Sequence, residues 1–312
     1  MLIPPPLSPG DAVAFIAPAG PFDPPPIERA TAAFEARGYR IKTYGDLYRR
    51  HGYLAGTDQQ RLDELNAAVR DPDTRAILPA RGGYGCGRLL DDIDYAAAAA
   101  DPKRWIGFSD VTALHTALWA KCRLVTFHGP HPKDGLGRED GLPPAAEAAY
   151  WRALEAAPEG NLLPPDLVDS TTTRTPGVAE GQLFGGNVAV LASLLGTPYA
   201  VDTTDAILLL EDVGERPYRI DRFLLQLRQT GKLDSVRGIV LGYFTDCGPE
   251  EDEDSLSLEQ VLADYIDPLG VPVLQGFPAG HESPNLALPL GVPVRLDADS
   301  RSLTALPAAP PA

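Results

Sequence analysis

Ser109 stands where a short apolar run, Trp105-Ile106-Gly107-Phe108, gives way to a helical pattern that runs through Asp110-Val111-Thr112-Ala113-Leu114-His115. A hydroxyl at a strand-to-helix turn lies beside the unbonded backbone N–H groups of the first helical turn. Serine nucleophiles use such turns because the hydroxyl is exposed and an oxyanion finds donors nearby. Ser and Asp are also favoured helix N-caps, and taken alone the pattern reads first as a cap.

A second group of residues has chemistry in its backbone. Arg81-Gly82-Gly83-Tyr84-Gly85-Cys86-Gly87-Arg88 follows an apolar run and precedes a helix, and four of the six residues from 82 to 87 are glycine. A dinucleotide fingerprint would need glycine where Arg88 stands and an acid where Lys103 and Arg104 stand, so that reading fails. Such a backbone can still approach a ligand closely and present N–H groups to negative charge. A tight turn explains the same glycines.

A nucleophilic serine needs a base, and the base needs an acid to orient it. Five histidines are available. His51 falls in a polar loop and His115 on the helix after Ser109, where packing or surface is the simpler role. His128 and His131 flank Gly129-Pro130; no nearby acid completes a metal-ligand set, and a structural role is expected. His281 lies in the irregular polar loop Gly276–Asn285, a common setting for catalytic groups, although a surface histidine is the default. Glu211 closes the apolar run Ile207–Leu210, where a sheet could hold its carboxylate rigidly against an imidazole N–H. Asp212 and Glu215 are rival partners.

These groups need elements to position them. Ala12–Ala17 is a compact apolar run, and Pro25–Arg37 has Ile27, Ala30 and Phe34 at helical spacing. Tyr39–Thr43 reads as a second strand, and Thr57–Arg70 as a helix with Leu62, Leu65 and Val69 on one face and Thr57 as its cap. Ala76–Pro79, Trp105–Phe108 and Leu124–Phe127 continue the strands, with helical stretches between them. Repeated βα units of this kind predict a parallel sheet covered on both faces, with ligands beyond the carboxyl ends of the strands. Residues 132–178 are rich in Pro, Ala and Asp, with a helix at Ala145–Leu154. Strands restart at Gly181–Phe184, Ile207–Leu210, Ile239–Leu241 and Val292–Leu296, with helices over Asn187–Leu195 and after Pro217. The acidic run Glu250–Asp254 reads as a solvated loop and the tail from Pro307 as frayed.

At 312 residues the chain can form two domains, and 44% hydrophobic with 22% charged residues is the composition of a soluble globular protein. No basic, apolar leader and no long apolar span is read, so a cytoplasmic protein fits best. Cys86, Cys122 and Cys247 are scattered and form neither a disulfide framework nor a zinc spacing. The net charge of −16 argues against a nucleic-acid partner, while an anionic small substrate would need a local cluster of Arg or Lys.

Arg81–Gly85, Gly107-Phe108-Ser109-Asp110, Gly185-Gly186-Asn187, Leu210–Gly214 with Pro217-Tyr218-Arg219-Ile220-Asp221-Arg222, and Gly280-His281 occur in this order. Together they resemble the LD-carboxypeptidase family of serine peptidases, over most of the chain up to about Leu296. The resemblance implies a Ser-His-Glu triad: Ser109 as nucleophile, His281 as general base and Glu211 orienting it. It implies oxyanion donors from the backbone N–H of Asp110 and of a glycine in the Gly82-Gly83 pair, with Gly83 favoured. Arg81, Gly82, Tyr84, Arg219 and Arg222 are the expected substrate-binding residues.

The expected fold class is α/β. A flavodoxin/Rossmann-like parallel-sheet domain at 1–154 would carry Ser109, and 155–178 would be a linker. A mixed α/β domain with a barrel-like sheet at 179–312 would carry Glu211 and His281. The implied activity is removal of the terminal D-alanine from murein tetrapeptide after meso-diaminopimelate, with no metal or cofactor and no membrane partner, by a homodimer. The turn reads Gly107-x-Ser109-x-Val111 and lacks the second glycine of the α/β-hydrolase elbow, which counts against an ordinary esterase. The related microcin C immunity amidases share the triad but act on acyl-sulfamoyl aminoacyl nucleotides, and a two-domain peptide-binding protein without catalysis is the alternative from another class.

Overall fold

The computed structural model describes residues 1–251 and 253–307. It divides into two units, one comprising Met1–Ala157 with Leu286–Pro289, the other Pro158–Asn285 with Leu290 onward.

In the first unit, strands alternate with helices as the hydrophobic periodicity requires. They are β1 (Ala12–Ile16), α1 (Pro24–Ala36), β2 (Arg40–Lys42), α2 (Asp58–Arg70), β3 (Thr74–Pro79), α3 (Tyr95–Ala100), β4 (Arg104–Gly107), α4 (Thr112–Cys122), β5 (Thr126–His128) and α5 (Pro144–Glu155). The pairs β1–β2, β1–β3, β3–β4 and β4–β5 are all parallel. The order is β5-β4-β3-β1-β2, with Leu288–Leu290 at the edge next to β5. All five residues of β1 are buried, as expected of a strand covered on both faces. Thr57 caps α2 in a reciprocal capping box with Gln60. Below the sheet, Phe34 packs edge-on against Phe15 (5.6 Å) and Trp151 (5.1 Å), joining α1 and α5 to β1. Each ring buried there contributes about 1.5–3 kcal/mol.

The second unit contains β6 (Gly160–Asn161), β7 (Thr172–Thr175), β8 (Val178–Asn187), α6 (Val188–Ser193), β9 (Ala206–Val213), α7 (Pro217–Gln229), β10 (Gly238–Thr245), α8 (Leu258–Ile266) and β11 (Val273–Gln275). After Leu288–Leu290, which is β12, come β13 (Pro293–Asp297) and β14 (Ser302–Ala305). Its sheet has the order β6-β14-β13-β8-β9-β10-β11-β7. The centre, β8-β9-β10-β11, is parallel, and the flanking pairs are antiparallel. Among the described residues no pairing joins β6 to β7. The sheet is therefore open and mixed, and the barrel-like expectation is corrected.

The stretch 155–178, expected as a linker, holds β6 and β7, which pair with β14 and β11. Its residues are short, polar and Pro-rich, so nothing local marks them as strands; they are ordered by partners far along the chain. The helix expected over Asn187–Leu195 starts one residue later, because Asn187 is its cap and accepts from Val190 N–H. Glu250 and Glu253 of the acidic run flank Arg216. Asp252 and the tail beyond Pro307 lie outside the described residues. Among the described residues no helix is long and apolar enough to cross a membrane.

Candidate active site

The serine turn is built at the carboxyl end of β4. The chain leaves Gly107 in extended conformation through Phe108, and Ser109 then takes φ +59° before a 3-10 turn over Ser109–Val111 leads into α4. A non-glycine residue in the left-handed region costs on the order of 1–3 kcal/mol and persists only where its surroundings hold it.

Those surroundings are identifiable. The Asp110 carboxylate is buried and accepts from the Cys86 N–H at 2.8 Å, which ties the serine turn to the glycine loop. His131, buried on the other side, places Nε2 3.1 Å from the Phe108 carbonyl and 3.4 Å from the Phe108 N–H. Its Nδ1 faces Asp134 at 3.4 Å. His115 Nε2 donates to the Gly107 carbonyl at 2.8 Å, and burial pushes its pKa down to about 4, so the ring is neutral and structural.

The glycine loop lies against the serine. A Cβ placed on Gly82 would stand 3.2 Å from Ser109 Oγ and 3.0 Å from both Ser109 Cβ and His131 Cε1, so a side chain there would crowd the serine and require it or His131 to shift. The Gly82 carbonyl accepts from Gly20 N–H at 3.1 Å. In a trans peptide the N–H points opposite to the C=O, so the Gly83 N–H is directed away from Gly20. Among the described residues, the amides of Gly82 and Gly83 donate to no protein acceptor. The Asp110 amide belongs to the orphan donors of the helix start.

In the second unit, β9 carries Glu211 near its end, fully buried, with Asn187 opposite in the β8 register. Glu211 Oε2 accepts from His281 Nδ1 at 2.8 Å. This bond places the ring proton on Nδ1 and the basic lone pair on Nε2. Glu211 Oε1 has no hydrogen-bond partner among the described residues. Gly280, at φ +123°, is where the loop crosses the carboxylate: a Cβ there would lie 2.8 Å from Glu211 Oε2. Asn285 Oδ1 accepts from the Gly280 N–H at 3.2 Å and fixes the loop from behind.

The rival acids are occupied elsewhere. Asp212 accepts from Asn187 Nδ2 (2.8 Å), Ala189 N–H (2.9 Å) and Val213 N–H (2.8 Å). Burial pushes its pKa up to about 6 despite these donors. Glu215 faces Arg219 at 3.3 Å. Of the three acids, Glu211 is the one against a histidine.

The remaining expected residues are placed less tellingly. Arg81 donates through Nη1 to the Pro21 carbonyl. Tyr84, 54% exposed, packs edge-on against the exposed Tyr53 at 5.6 Å. Arg219 and Arg222 are exposed on α7, with their guanidinium carbons 6.0 and 5.6 Å from the centre of the Tyr218 ring. His51 is exposed. The structural role expected of His131 takes the form of contacts with the Phe108 backbone, whereas Asn285, which acts on the Gly280 N–H, and Asp134, which faces the His131 ring, carried no sequence signal.

Comparison with known proteins finds matches along both units. Residues 13–129 match the model of the LD-carboxypeptidase N-terminal domain, and residues 180–296 match that of the LD-carboxypeptidase C-terminal domain. The chain belongs to the LD-carboxypeptidase family. It is 43% identical over 285 residues, 91% of this chain and 88% of the relative, to the "Probable murein peptide carboxypeptidase" of Bacillus subtilis (strain 168). The crystal structure of muramoyltetrapeptide carboxypeptidase from Oxalobacter formigenes superposes with a TM-score of 0.82 at 30% identity, covering 94% of this chain and 97% of that one. The structure of MccF in complex with glutamyl sulfamoyl guanosine superposes with a TM-score of 0.88 at 26% identity, covering 99% of each chain. In this LD-carboxypeptidase family member, Ser109 and the glycine loop fall in the N-terminal match, and Glu211 and His281 in the C-terminal one.

Proposed function

We propose that the protein is a serine LD-carboxypeptidase that cleaves the bond between meso-diaminopimelate and the terminal D-alanine of murein tetrapeptide. The observation that carries the reading is the 2.8 Å bond from His281 Nδ1 to the buried Glu211, which prepares an imidazole for proton transfer. The relatives named as murein peptide carboxypeptidases support the substrate class.

Ser109 Oγ attacks the amide carbon while His281 Nε2 takes the hydroxyl proton. The C=O electrons move onto oxygen, which the Asp110 and Gly83 N–H groups stabilise. Collapse expels D-alanine, whose nitrogen receives the proton from His281, and leaves an acyl ester on Ser109. Water then attacks the ester, His281 accepts its proton and returns it to Ser109 Oγ, and the tripeptide leaves. Arg81, Arg219 and Arg222 are the candidates for reading the substrate carboxylates. In this reading the enzyme is a cytoplasmic homodimer acting on recovered murein fragments, and light scattering of the purified protein tests the dimer.

The match to MccF supports a second reading, an amidase acting on acyl-sulfamoyl aminoacyl nucleotides. Mass spectrometry after incubation with a murein tetrapeptide and, separately, with processed microcin C decides between them. Release of D-alanine by the wild type, lowered on the order of 10⁴–10⁶-fold in Ser109→Ala, is the expected result. Preference for the nucleotide selects the amidase, tetrapeptide binding without cleavage selects a binding protein, and undiminished turnover by Ser109→Ala removes the serine mechanism.

A further inference from the structure

The glycine loop is held from beneath by a buried cation. Arg61, on the first turns of α2, is 1% exposed. Its Nη1 donates to the Gly85 carbonyl at 3.0 Å and to the Pro18 carbonyl. Its Nη2 donates to Asp58, which Arg88 also engages at 2.6 Å. A guanidinium out of water costs several kcal/mol unless its donors are used; Nη1 and Nη2 are used, two of their three acceptors being loop carbonyls, while Nε is buried with no partner among the described residues.

One carbonyl lies on the glycine loop and the other on the segment hydrogen-bonded to it. Pro18 precedes Gly20, whose N–H holds the Gly82 carbonyl, and Gly85 closes the loop that begins at Gly82. Gly85 has no room for a side chain: a Cβ there would stand 2.6 Å from Arg61 Nη1 and 2.6 Å from Leu54 Cδ2. The loop is therefore fixed at three points, Gly82 O by Gly20, Gly85 O by Arg61 and Cys86 N–H by Asp110, with Gly83 between them.

We propose that Arg61 is a positioning residue that locks the Gly82–Gly85 loop so that the Gly83 N–H meets the developing oxyanion. This rests on the reading of Gly83 as an oxyanion donor. In the proposed function the substrate carboxylates are read by Arg81, Arg219 and Arg222, outside the Gly82–Gly85 loop, so loss of Arg61 is expected to act mainly on the transition state.

The test compares wild type, Arg61→Lys and Arg61→Met by steady-state kinetics on murein tetrapeptide, by thermal unfolding and by hydrogen exchange of the hydrogen-bonded loop amides of Gly20, Cys86 and Arg88, which bond to or within the loop. In Arg61→Met, kcat is expected to fall about 10- to 100-fold with KM within about threefold, and the loop amides to exchange about tenfold faster while the rest of the fold stays protected. Arg61→Lys, which keeps a donor, is expected to lie between. A folded Arg61→Met with kcat within about twofold of wild type, or with unchanged loop exchange, overturns the proposal. If Arg61→Met does not fold, Asp58→Ala, which releases Nη2, is expected to show the same pattern at about three- to tenfold, and its absence overturns the proposal equally. A wild type inactive on the tetrapeptide sinks the proposed function instead, and loop exchange then still judges the lock.

Discussion

Glu211 accepts the Nδ1 proton of His281 through one oxygen at 2.8 Å, while its other oxygen is buried with no partner among the described residues. A carboxylate satisfied by imidazole alone has no competing donor to swing toward. The tautomer of His281 is thereby tied to the charge on Glu211.

Glu211→Gln preserves the shape but allows the amide to donate to Nδ1, which moves the ring proton to Nε2 and removes the base. Turnover of murein tetrapeptide is expected to fall on the order of 10³–10⁴-fold with little change in thermal stability. Kinetics and melting of the same preparation check this; activity within tenfold of wild type removes Glu211 from the orienting role.

Strain at Ser109 separates function from stability. Ser109→Gly relieves the φ of +59°, whereas Ser109→Ala keeps it. The glycine variant is expected to be up to about 1 kcal/mol more stable than the alanine variant, the relief outweighing the greater freedom of unfolded glycine. Denaturant unfolding of both decides it, and an alanine variant that is the more stable refutes a strained turn.

Asp110 contributes its carboxylate as well as its N–H. Asp110→Ala leaves the buried Cys86 N–H without an acceptor and is expected to cost about 1–3 kcal/mol of stability together with a marked loss of kcat. Asp110→Asn retains an acceptor oxygen and should recover most of both. Equal behaviour of the two variants in melting and kinetics contradicts the tie between serine turn and glycine loop.

His115 gives a pH dependence of known sign. Its folded pKa, lowered to about 4 by burial, lies below the ordinary 6.5, so between these values the unfolded chain takes up a proton that the folded chain does not. This contribution is complete above pH 6.5 and is lost as pH falls toward 4, by about 2–3 kcal/mol between pH 7 and 4.5. His115→Gln is expected to be less acid-sensitive than wild type by that margin in unfolding titrations. Parallel pH curves for the two proteins contradict it.

The alternation of β1 to β5 with their helices, the serine at the end of β4 and the glycine loop were legible in the sequence, because hydrophobic period and turn chemistry are local properties. Glu211 against Asp212 was not legible. Adjacent residues of a strand point to opposite faces, and only the position of β9 in its sheet says which face meets His281 and which meets Asn187. The short polar strands β6 and β7, and the return of Leu286–Pro289 to the first unit, were hidden for a related reason: their order comes from partners distant in the chain. Likewise the glycines announced a close approach, but that Gly82 lies against Ser109 while Arg61 holds Gly85 was decided by packing among segments far apart in sequence. Local chemistry is written residue by residue, whereas facing and contact are properties of the folded chain.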